Sequence, residues 1–407
     1  MSFSEKQMQI LTFPYTSYTS LICDGAVRSG KTSVMSISFL LWAMGNFNGQ
    51  NFGICGKTVI SAERNVIRPL LGVKYLHEHF RLKFANHILT VSRGNKTNTF
   101  YVFGGKDESS YMLIQGVTLA GVLLDEVALM PKSFVNQALA RCSVEGSKYW
   151  FNCNPEGPQH WFYQEWVLQP EKHNALHLHF LLDDNPSLSE AKKQEYYSSY
   201  SGVFYDRYIL GEWVVAEGRV YRQFADNPDA CILRGPTAGL DGQFYVSIDY
   251  GTLNPCSMGL WCVQDKRAVR IKEWYHDGRK DGQMTDEEYY TALEKLTDGY
   301  YIRKVIVDPS AASFMTCIRR HGKYQAWPAV NDVLDGIRVT SSLLSAGMVK
   351  IHESCKDAIR EFGLYRWDET KNNDTVLKEN DHAMDEIRYF CYTILAREFS
   401  WAEWKAR

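Results

Sequence analysis

A short loop near the start of the chain carries the clearest chemical signal. Residues 24–32 read Asp-Gly-Ala-Val-Arg-Ser-Gly-Lys-Thr and satisfy the pattern G-x-x-x-x-G-K-[ST]. Such a loop folds its main chain around phosphate oxygens, while its lysine reaches the outer phosphates and its hydroxyl holds Mg2+. The sequence therefore predicts a site for ATP and Mg2+. The residues predicted to contact them are Gly25, Arg28, Ser29, Gly30, Lys31 and Thr32.

Two adjacent carboxylates supply the second part of this chemistry. Residues 121–124 form an apolar run that ends in Asp125 and Glu126. An all-apolar strand suits a parallel sheet, and ligands bind at the carboxyl ends of such strands. We therefore expect Asp125 to hold Mg2+ through water and Glu126 to activate the attacking water.

Two side-chain amides are further candidates for nucleotide contact. Gln7 follows Ser4 at capping-box spacing. It stands upstream of the loop, where many nucleic-acid motors read adenine with a glutamine; a plain surface helix is the alternative. Asn154 ends an apolar run and could sense the γ-phosphate, whereas Asn154-Pro155 as a simple turn is the alternative.

Three aspartates and a histidine in the second half predict a metal site. Asp249 and Asp308 each end a strand-like run, and His382 and Asp385 lie one turn apart at the start of a predicted helix. Oxygen ligands with one imidazole suit Mg2+ or Mn2+ rather than zinc. Two such ions can activate water and stabilise the leaving oxygen of a phosphodiester. We predict the three aspartates as catalytic and all four residues as ligands, with Asp381 as the alternative to Asp385.

The elements around these residues predict two α/β domains. A strand at 18–23 and a helix at 33–44 flank the loop. In the second half, a strand at 244–249, a meander through 258–263 and 268–274, a helix from Thr285 and a strand at 305–308 position the acids. The predicted boundaries are 1–213, a linker at 214–240, and 241–407.

Composition limits the classes of protein that this chain can be. Its 407 residues, 45% hydrophobic and 23% charged, suit two folded domains, and the net charge of -2 argues against a uniformly basic surface. The ten cysteines show no zinc-finger or disulfide spacing. The longest apolar run, 34–44, is too short for a membrane span, and no signal peptide is recognisable. We therefore expect a soluble protein of a reducing cytoplasm.

Several motifs together resemble a known family. The loop at 25–32, Leu-Leu-Asp-Glu at 123–126 and Asn-Cys-Asn-Pro at 152–155 resemble the ATPase half of tailed-phage terminase large subunits, particularly the PBSX-like branch. The runs at 251–255, 308–313 and 380–385 resemble the nuclease half of that branch. The resemblance implies an N-terminal P-loop ATPase domain of the ASCE type, including a lid region, and a C-terminal RNase H-like nuclease domain.

The resemblance also implies an activity and partners. The expected activity is ATP-driven translocation of double-stranded DNA into a procapsid, with metal-dependent cleavage of concatemeric DNA. The expected partners are double-stranded DNA, a portal protein, a small terminase subunit and further copies of the chain in a ring, with no membrane. The expected location is the host cytoplasm, transiently at the procapsid portal, without secretion.

One position departs from the family pattern. Many terminases carry a basic residue before a glycine ahead of the acidic pair, proposed to act on the ATP of the neighbouring subunit. Here that place reads Gln115-Gly116, which leaves Arg28, Arg64 and Arg68 as candidates for a trans-acting arginine.

Two other functions are the rival hypotheses. A cellular helicase or repair ATPase fused to a nuclease domain would separate strands at forks. A DNA-binding scaffold with decayed sites would lack the chemical residues, yet the loop lysine and threonine and all the predicted acids are present.

Overall fold

The computed structural model describes residues 3–237, 239–371 and 374–396. The chain divides into two units, one formed by Met1–Glu195 with Tyr205–Val215 and the other by Tyr196–Phe204 with Ala216–Arg407. The last part of the predicted nuclease domain, 397–407, lies outside the described residues. The domain boundaries predicted from the sequence stay a prediction.

An eight-stranded sheet forms the centre of the first unit. Its strands are β1 (Ser20–Gly25), β2 (Asn51–Gly56), β3 (Arg81–Ala85), β4 (Ile88–Arg93), β5 (Lys96–Gly104), β6 (Gly121–Asp125), β7 (Lys148–Asn152) and β8 (Ala175–Phe180). They lie in the order β3-β4-β5-β2-β6-β7-β1-β8. Strand β7 separates β1 from β6 and runs parallel to both. The carboxyl ends of these three strands therefore meet at one edge of the sheet.

Helices cover this sheet, and the helix that follows the loop is central to it. The helices are α1 (Glu5–Thr12), α2 (Lys31–Asn46), α3 (Val59–Ala62), α4 (Arg68–Leu71), α5 (Lys74–His79) and α6 (Lys132–Arg141). Helix α1 has the predicted capping box between Ser4 and Gln7. The rings of Phe39 and Trp42 on α2 pack on Trp150 of β7 at centroid distances of 5.0 and 4.8 Å. This packing fixes the helix against the strand next to the loop.

Two helices lie where the chain passes between units. Helix α7 (Glu190–Ser199) begins in the first unit and ends in the second, and α8 (Val203–Tyr208) begins in the second and ends in the first. Residues 205–215, called the return segment below, therefore belong to the first unit.

A seven-stranded sheet forms the centre of the second unit. Its strands are β9 (Ile232–Leu233), β10 (Gln243–Asp249), β11 (Cys256–Gln264), β12 (Arg267–His276), β13 (Ile302–Val307), β14 (Ala326–Pro328) and β15 (Val349–His352), in the order β14-β13-β10-β11-β12-β15-β9. The predicted meander is present, because β10, β11 and β12 are antiparallel neighbours. Strand β13 runs parallel to β10, so both strands end at the same edge.

Eight helices of the described part of the second unit complete it. They are α9 (Arg222–Asp226), α10 (Pro228–Cys231), α11 (Gly278–Asp281), α12 (Asp286–Leu296), α13 (Ala312–His321), α14 (Val333–Ser345), α15 (Lys356–Leu364) and α16 (His382–Phe390). The predicted cap is present, because Thr285 forms a capping box with Glu288 at the start of α12. Across residues 3–237, 239–371 and 374–396, the helices are too short or too polar to cross a membrane.

Candidate nucleotide and nuclease sites

The loop between β1 and α2 has a main chain that requires glycine at two positions. Gly25 and Gly30 adopt φ angles of 114° and 84°. A Cβ atom on Gly25 would lie 2.1 Å from the main-chain oxygen of Phe180. The loop can therefore follow this path only without side chains at these positions.

Lys31 lies inside this loop. Its Nζ donates to the main-chain oxygens of Gly25 at 3.1 Å and Ala26 at 2.6 Å. It also donates to Oδ1 of Asn154 at 3.4 Å, which brings that predicted residue to the loop. Desolvation by burial lowers the pKa of Lys31 to about 8. A cation with so little water around it interacts strongly with a phosphate.

The predicted Mg2+ residues lie side by side. Thr32 Oγ1 donates to Asp125 Oδ1 at 3.2 Å, and Asn152 Nδ2 donates to the same carboxylate oxygen at 2.5 Å. Asn65 Nδ2 donates to the other oxygen of Asp125 at 3.2 Å. Burial raises the pKa of Asp125 against these three hydrogen bonds.

Asn152 and Asn65 were not identified from the sequence. Asn152 ends β7 beside Asp125 at the end of β6, and the strand pairing aligns the two. The Oδ1 atom of Asn152 is buried and has no hydrogen-bond partner. An unpaired buried acceptor beside a carboxylate and a hydroxyl fits a hydrated cation at this position.

Three predicted residues of the nucleotide site are left, and one of them, Arg28, belongs to the loop itself. Gln7 is buried, and its Nε2 donates to the main-chain oxygen of Ser29 at 3.3 Å. Glu126 is half-buried and has a left-handed φ of 58°, which is uncommon for a residue with a side chain. Arg28 is also left-handed, and Asn185 Nδ2 donates to its main-chain oxygen at 2.7 Å.

A buried carboxylate at the start of the loop was missed by the sequence analysis. Asp24 is 1% exposed and accepts from His177 Nε2 at 2.9 Å, His179 Nδ1 at 3.1 Å and Trp213 Nε1 at 2.8 Å. Burial favours a higher pKa, but these hydrogen bonds hold the pKa of Asp24 well below its ordinary value. The two histidines alternate along β8, which is a signal that the sequence does contain.

The return segment approaches the loop at two other points. The main-chain N–H of Val27 donates to the oxygen of Tyr208 at 2.8 Å. A Cβ atom on Gly211 would lie 3.0 Å from Cα of Gly25. Trp213, Tyr208 and Gly211 therefore tie this segment to the phosphate loop.

The second candidate site begins where β10 ends. Asp249 is buried, and its Oδ2 lies 2.9 Å from Nδ1 of His382 at the start of α16. Burial, together with the charges of Asp385 and Asp308, raises the pKa of Asp249 to about 7, although His382 opposes the shift. This accumulation of negative charge fits a divalent cation as the neutralising partner.

The other two predicted aspartates have neighbours that the sequence analysis did not assign. Asp308 follows β13, its main-chain N–H donates to the oxygen of Ile248 at 3.1 Å, and its carboxylate accepts from Ser310. Asp385 accepts from Nη2 of buried Arg388 at 2.9 Å. Lys378 Nζ lies 3.3 Å from both Asp381 and Asp385, so the structure places both alternative ligands beside one ammonium group.

The three predicted aspartates do not form a compact group of ligand atoms in the described part of the chain. In the described part of the chain, one group of three potential ligands has atoms all within 4.8 Å of one another, and it is Glu287, Cys317 and His321 rather than the aspartates. Asp308 accepts a hydrogen bond from Ser310, and Asp385 accepts one from Arg388, so each carboxylate has its own partner. The donor set still fits Mg2+ or Mn2+, because it offers carboxylate oxygens and one imidazole.

A buried ion pair lies on the same helix as Asp385. Glu386 and Arg270 are both fully buried, and their side chains meet at 2.7 Å. Glu386 also accepts from Ser247 Oγ and from Trp261 Nε1, the latter at 3.1 Å. Helix α16 is therefore anchored to β10, β11 and β12, which positions Asp385 relative to Asp249.

The candidate trans-acting arginines at 64 and 68 differ from Arg28 in exposure. Both Arg64 and Arg68 are exposed, and Nε of Arg64 donates to Oδ1 of Asn65 at 3.1 Å. Since Asn65 contacts Asp125, Arg64 is linked through one residue to the predicted Mg2+ position.

The chain matches one protein-family model and is similar to solved structures of phage proteins. Residues 22–226 match the family model described as terminase large subunit, T4likevirus-type, N-terminal. The chain is similar to the crystal structure of the large terminase from a thermophilic bacteriophage, called the thermophilic-phage terminase below. The two share 48% identity and a TM-score of 0.91, over 97% of this chain and 100% of that one.

Nucleotide complexes of the thermophilic-phage terminase are similar to this chain as well. The complex with ADP matches at 47% identity and a TM-score of 0.88, over 97% of this chain and 100% of that one. The complex with ATP-gamma-S matches over the same shares at 46% identity and a TM-score of 0.87.

A curated relative shares a smaller part. The large terminase subunit of Escherichia phage T5 is 22% identical over 232 residues, which are 54% of this chain and 52% of the T5 protein. The match therefore spans about half the length of that relative. The similarity to the thermophilic-phage terminase covers both units and confirms the predicted fold class, a P-loop ATPase fold with an RNase H-like nuclease fold.

Proposed function

We propose that this chain, which belongs to the terminase large subunit family, is an ATP-driven motor for packaging double-stranded DNA. We also propose that it carries a metal-dependent DNA endonuclease. The observation that carries the motor is the contact between Thr32 of the phosphate loop and Asp125 at the end of β6. The observation that carries the nuclease is that Asp249 and Asp308 lie at the adjacent ends of β10 and β13, while Asp385 lies on α16, which Glu386 anchors to the same sheet.

The proposed nucleotide chemistry divides among four residues. Lys31, with its lowered pKa and poor hydration, holds the outer phosphates. Thr32 and Asp125 hold Mg2+, which neutralises charge on the phosphates when it is bound. Glu126 orients the attacking water and accepts its proton. The ADP and ATP-gamma-S complexes of the thermophilic-phage terminase support a nucleotide at the same loop here.

The cluster around Asp24 positions the loop. A buried carboxylate is stable only when its oxygens are satisfied, and here three side chains satisfy them. One of these side chains, Trp213, comes from the return segment, which continues into the second unit at Ala216. We assign Asp24 and Trp213 positioning roles, because Asp24 is bound by Trp213 and by two histidines of β8.

The proposed nuclease chemistry requires two Mg2+ or Mn2+ ions, which supply an activated water and stabilise the leaving oxygen. Asp249, Asp308 and Asp385 would hold the ions as carboxylate ligands, and His382 would either join them or orient Asp249 through the 2.9 Å contact. Arg388 fixes the orientation of Asp385 by donating two hydrogen bonds to its Oδ1 atom.

We further propose roles for two side-chain amides beside the loop. Gln7 borders the adenine side of the loop and Asn154 the γ-phosphate side.

The partners are double-stranded DNA, a portal protein, a small terminase subunit and other copies of the chain in a ring, in the host cytoplasm and at the portal. The domains are 1–213, 214–240 and 241–407, and the motifs at 251–255, 308–313 and 380–385 support the PBSX-like branch.

The helicase or repair ATPase is not favoured as an alternative. The match to the thermophilic-phage terminase covers 97% of this chain at 48% identity, so both units have counterparts in one phage large terminase.

Cleavage of supercoiled plasmid by the purified protein tests the nuclease. We expect cutting with Mn2+ or Mg2+, none with EDTA, and loss in both Asp249→Ala and Asp308→Ala, while ATP hydrolysis continues in both variants. Asp281→Ala, an exposed aspartate of α11, is the matched control and should cut normally. Metal-dependent cutting that survives both substitutions would reject the assigned carboxylates.

A further inference from the structure

A second group of metal-ligand side chains lies on α12 and α13. Glu287 occupies the first turn of α12, and Cys317 and His321 lie at the carboxyl end of α13. One carboxylate oxygen, the Cys317 sulfur and one His321 nitrogen all lie within 4.8 Å of one another. None of these three residues belongs to either candidate site described above.

We propose that Glu287, Cys317 and His321 bind a thiophilic divalent cation such as Zn2+, with a fourth position open to water or another small ligand. The inference rests on the chemistry of this cluster and is independent of the proposed ATPase and nuclease. Thiolate and imidazole ligands select Zn2+, Co2+ or Cd2+, whereas the oxygen-rich aspartate site selects Mg2+ or Mn2+.

The helices hold the three ligands in a suitable arrangement. Cys317 and His321 are four positions apart, so both project from the same face of α13. The rings of His321 and Tyr290 stack at a centroid distance of 3.8 Å and an interplanar angle of 8°, which fixes the imidazole against α12. Cys317 Sγ also lies 3.7 Å from the main-chain oxygen of Asp286. The stacking of these two rings therefore helps to set the register between the two helices.

Only small side-chain movements are needed to complete the site. In a tetrahedral zinc site, bond lengths of about 2.0 to 2.3 Å place ligand atoms about 3.3 to 3.8 Å apart. Nε2 of His321 and Oε2 of Glu287 now lie 2.7 Å apart, so this pair must widen by less than about 1 Å. Glu287 is largely exposed, so its side chain can make this adjustment at little cost.

Space for the ion and its fourth ligand is present. A cavity of about 400 Å³ opens beside the cluster, and its lining includes Asp286, Glu287, Cys317 and Arg320. A site with three protein ligands and one open position is the arrangement that zinc adopts where a small molecule must reach it.

Binding would replace a proton. On binding, the S–H proton of Cys317 passes to solvent and the sulfur forms the bond to the metal.

Titration of metal-free full-length protein with Co2+ tests the site. Thiolate-bound Co2+ gives a ligand-to-metal charge-transfer band, which an aspartate and histidine site cannot produce. We expect the band to saturate at one equivalent, to disappear on addition of Zn2+, and to resist Mg2+. It should be lost in Cys317→Ser and retained in Cys142→Ser, a half-buried cysteine outside the cluster.

A second variant keeps the test decisive if Cys317→Ser folds poorly. His321→Ala changes a residue at the end of α13 and should weaken Co2+ binding by about tenfold or more while circular dichroism stays unchanged. Absence of the band in the wild-type protein would overturn the proposal. A band that persists in Cys317→Ser would do the same, because it would come from adventitious binding to other thiols.

Discussion

At the scale of single residues, the nucleotide site separates binding from proton transfer. Lys31 is buried in the loop, whereas Glu126 stands at the end of β6 in a left-handed conformation. Backbone strain at a residue with a side chain is often retained at functional sites. The two residues should therefore respond differently to substitution.

Glu126→Gln removes the carboxylate that we assign as the base and keeps the shape of the side chain. We expect the rate of ATP hydrolysis to fall by about 100-fold or more, since positioned bases contribute about 10² to 10⁴. The affinity for a fluorescent ATP analogue should stay within about threefold of wild type, whereas Lys31→Ala should lose binding itself. Glu145→Gln, an exposed glutamate, is the control, and a Glu126 variant with full activity would remove that residue from the mechanism.

The Asp24 cluster predicts a pH dependence of stability. The hydrogen bond from His179 to Asp24 raises the pKa of His179 above its ordinary value, so this pair stabilises the fold fully below that value. The contribution is lost as the pH rises through the folded-state pKa, while Asp24, whose pKa is lowered, stays charged throughout. Because His179 is half-exposed, we expect the melting temperature to fall by only about 1 to 3 °C between about pH 6 and 8.

Two variants isolate that contribution. His179→Gln and Asp24→Asn should both remove this part of the pH dependence, although Asp24→Asn should also lower stability at every pH because its buried oxygens lose charge-assisted bonds. His79→Gln, an exposed histidine of α5, should leave the profile unchanged. An unaltered profile in His179→Gln would show that another group causes the dependence.

At the scale of elements, the loop depends on the close approach of β1 and β8. These strands pair in parallel, with Gly25 opposite Phe180. The main-chain N–H of Ala26 donates to the oxygen of Phe180 at 2.7 Å, where the chain leaves β1 and enters the loop. A side chain at Gly25 would push these two strands apart at the point where we propose that phosphate binds.

Gly25→Ala should therefore affect both folding and binding. Gly49 also has a positive φ, of 71°, but no atom lies within 4 Å of its potential Cβ. Gly49→Ala should cost only about 1 to 2 kcal/mol from backbone strain. Gly25→Ala should cost more and weaken binding of an ATP analogue by at least about tenfold. Urea denaturation and nucleotide titration measure the two effects, and equal behaviour of the two variants would contradict the argument.

At the scale of the whole molecule, each candidate site is built by elements of one unit. Strands β1, β6 and β7 and the return segment form the nucleotide site, and β10, β13 and α16 form the nuclease site. No described residue is shared between the two sets. Substitutions should therefore inactivate one activity at a time.

Crosswise assays test this separation. Lys31→Ala should abolish ATP hydrolysis and leave metal-dependent plasmid cutting within about twofold, whereas Asp249→Asn should do the reverse. Circular dichroism confirms that each variant is folded. Loss of both activities in a folded variant would show that the two sites are coupled in the isolated chain.

Local sequence patterns were enough to predict the strands and helices that flank the two candidate sites, and the roles that we assign to residues in those sites stay predictions. The loop at 25–32, the acids at 125 and 126 and the strand-end aspartates at 249 and 308 were recognised because local spacing and apolar runs encode them. The helix starts at Ser4 and Thr285 could also be predicted, because a capping box depends on residues only three positions apart.

The pairs of residues that meet across the chain could be identified only from the folded molecule. The contacts of Asp24 with Trp213 and of Asp125 with Asn65 join segments that no local pattern connects. The cluster of Glu287 with Cys317 and His321 escaped notice because its ligands come from two helices rather than one finger-like spacing. Side-chain partners are set by strand order and helix packing, which depend on the whole core rather than on neighbouring residues.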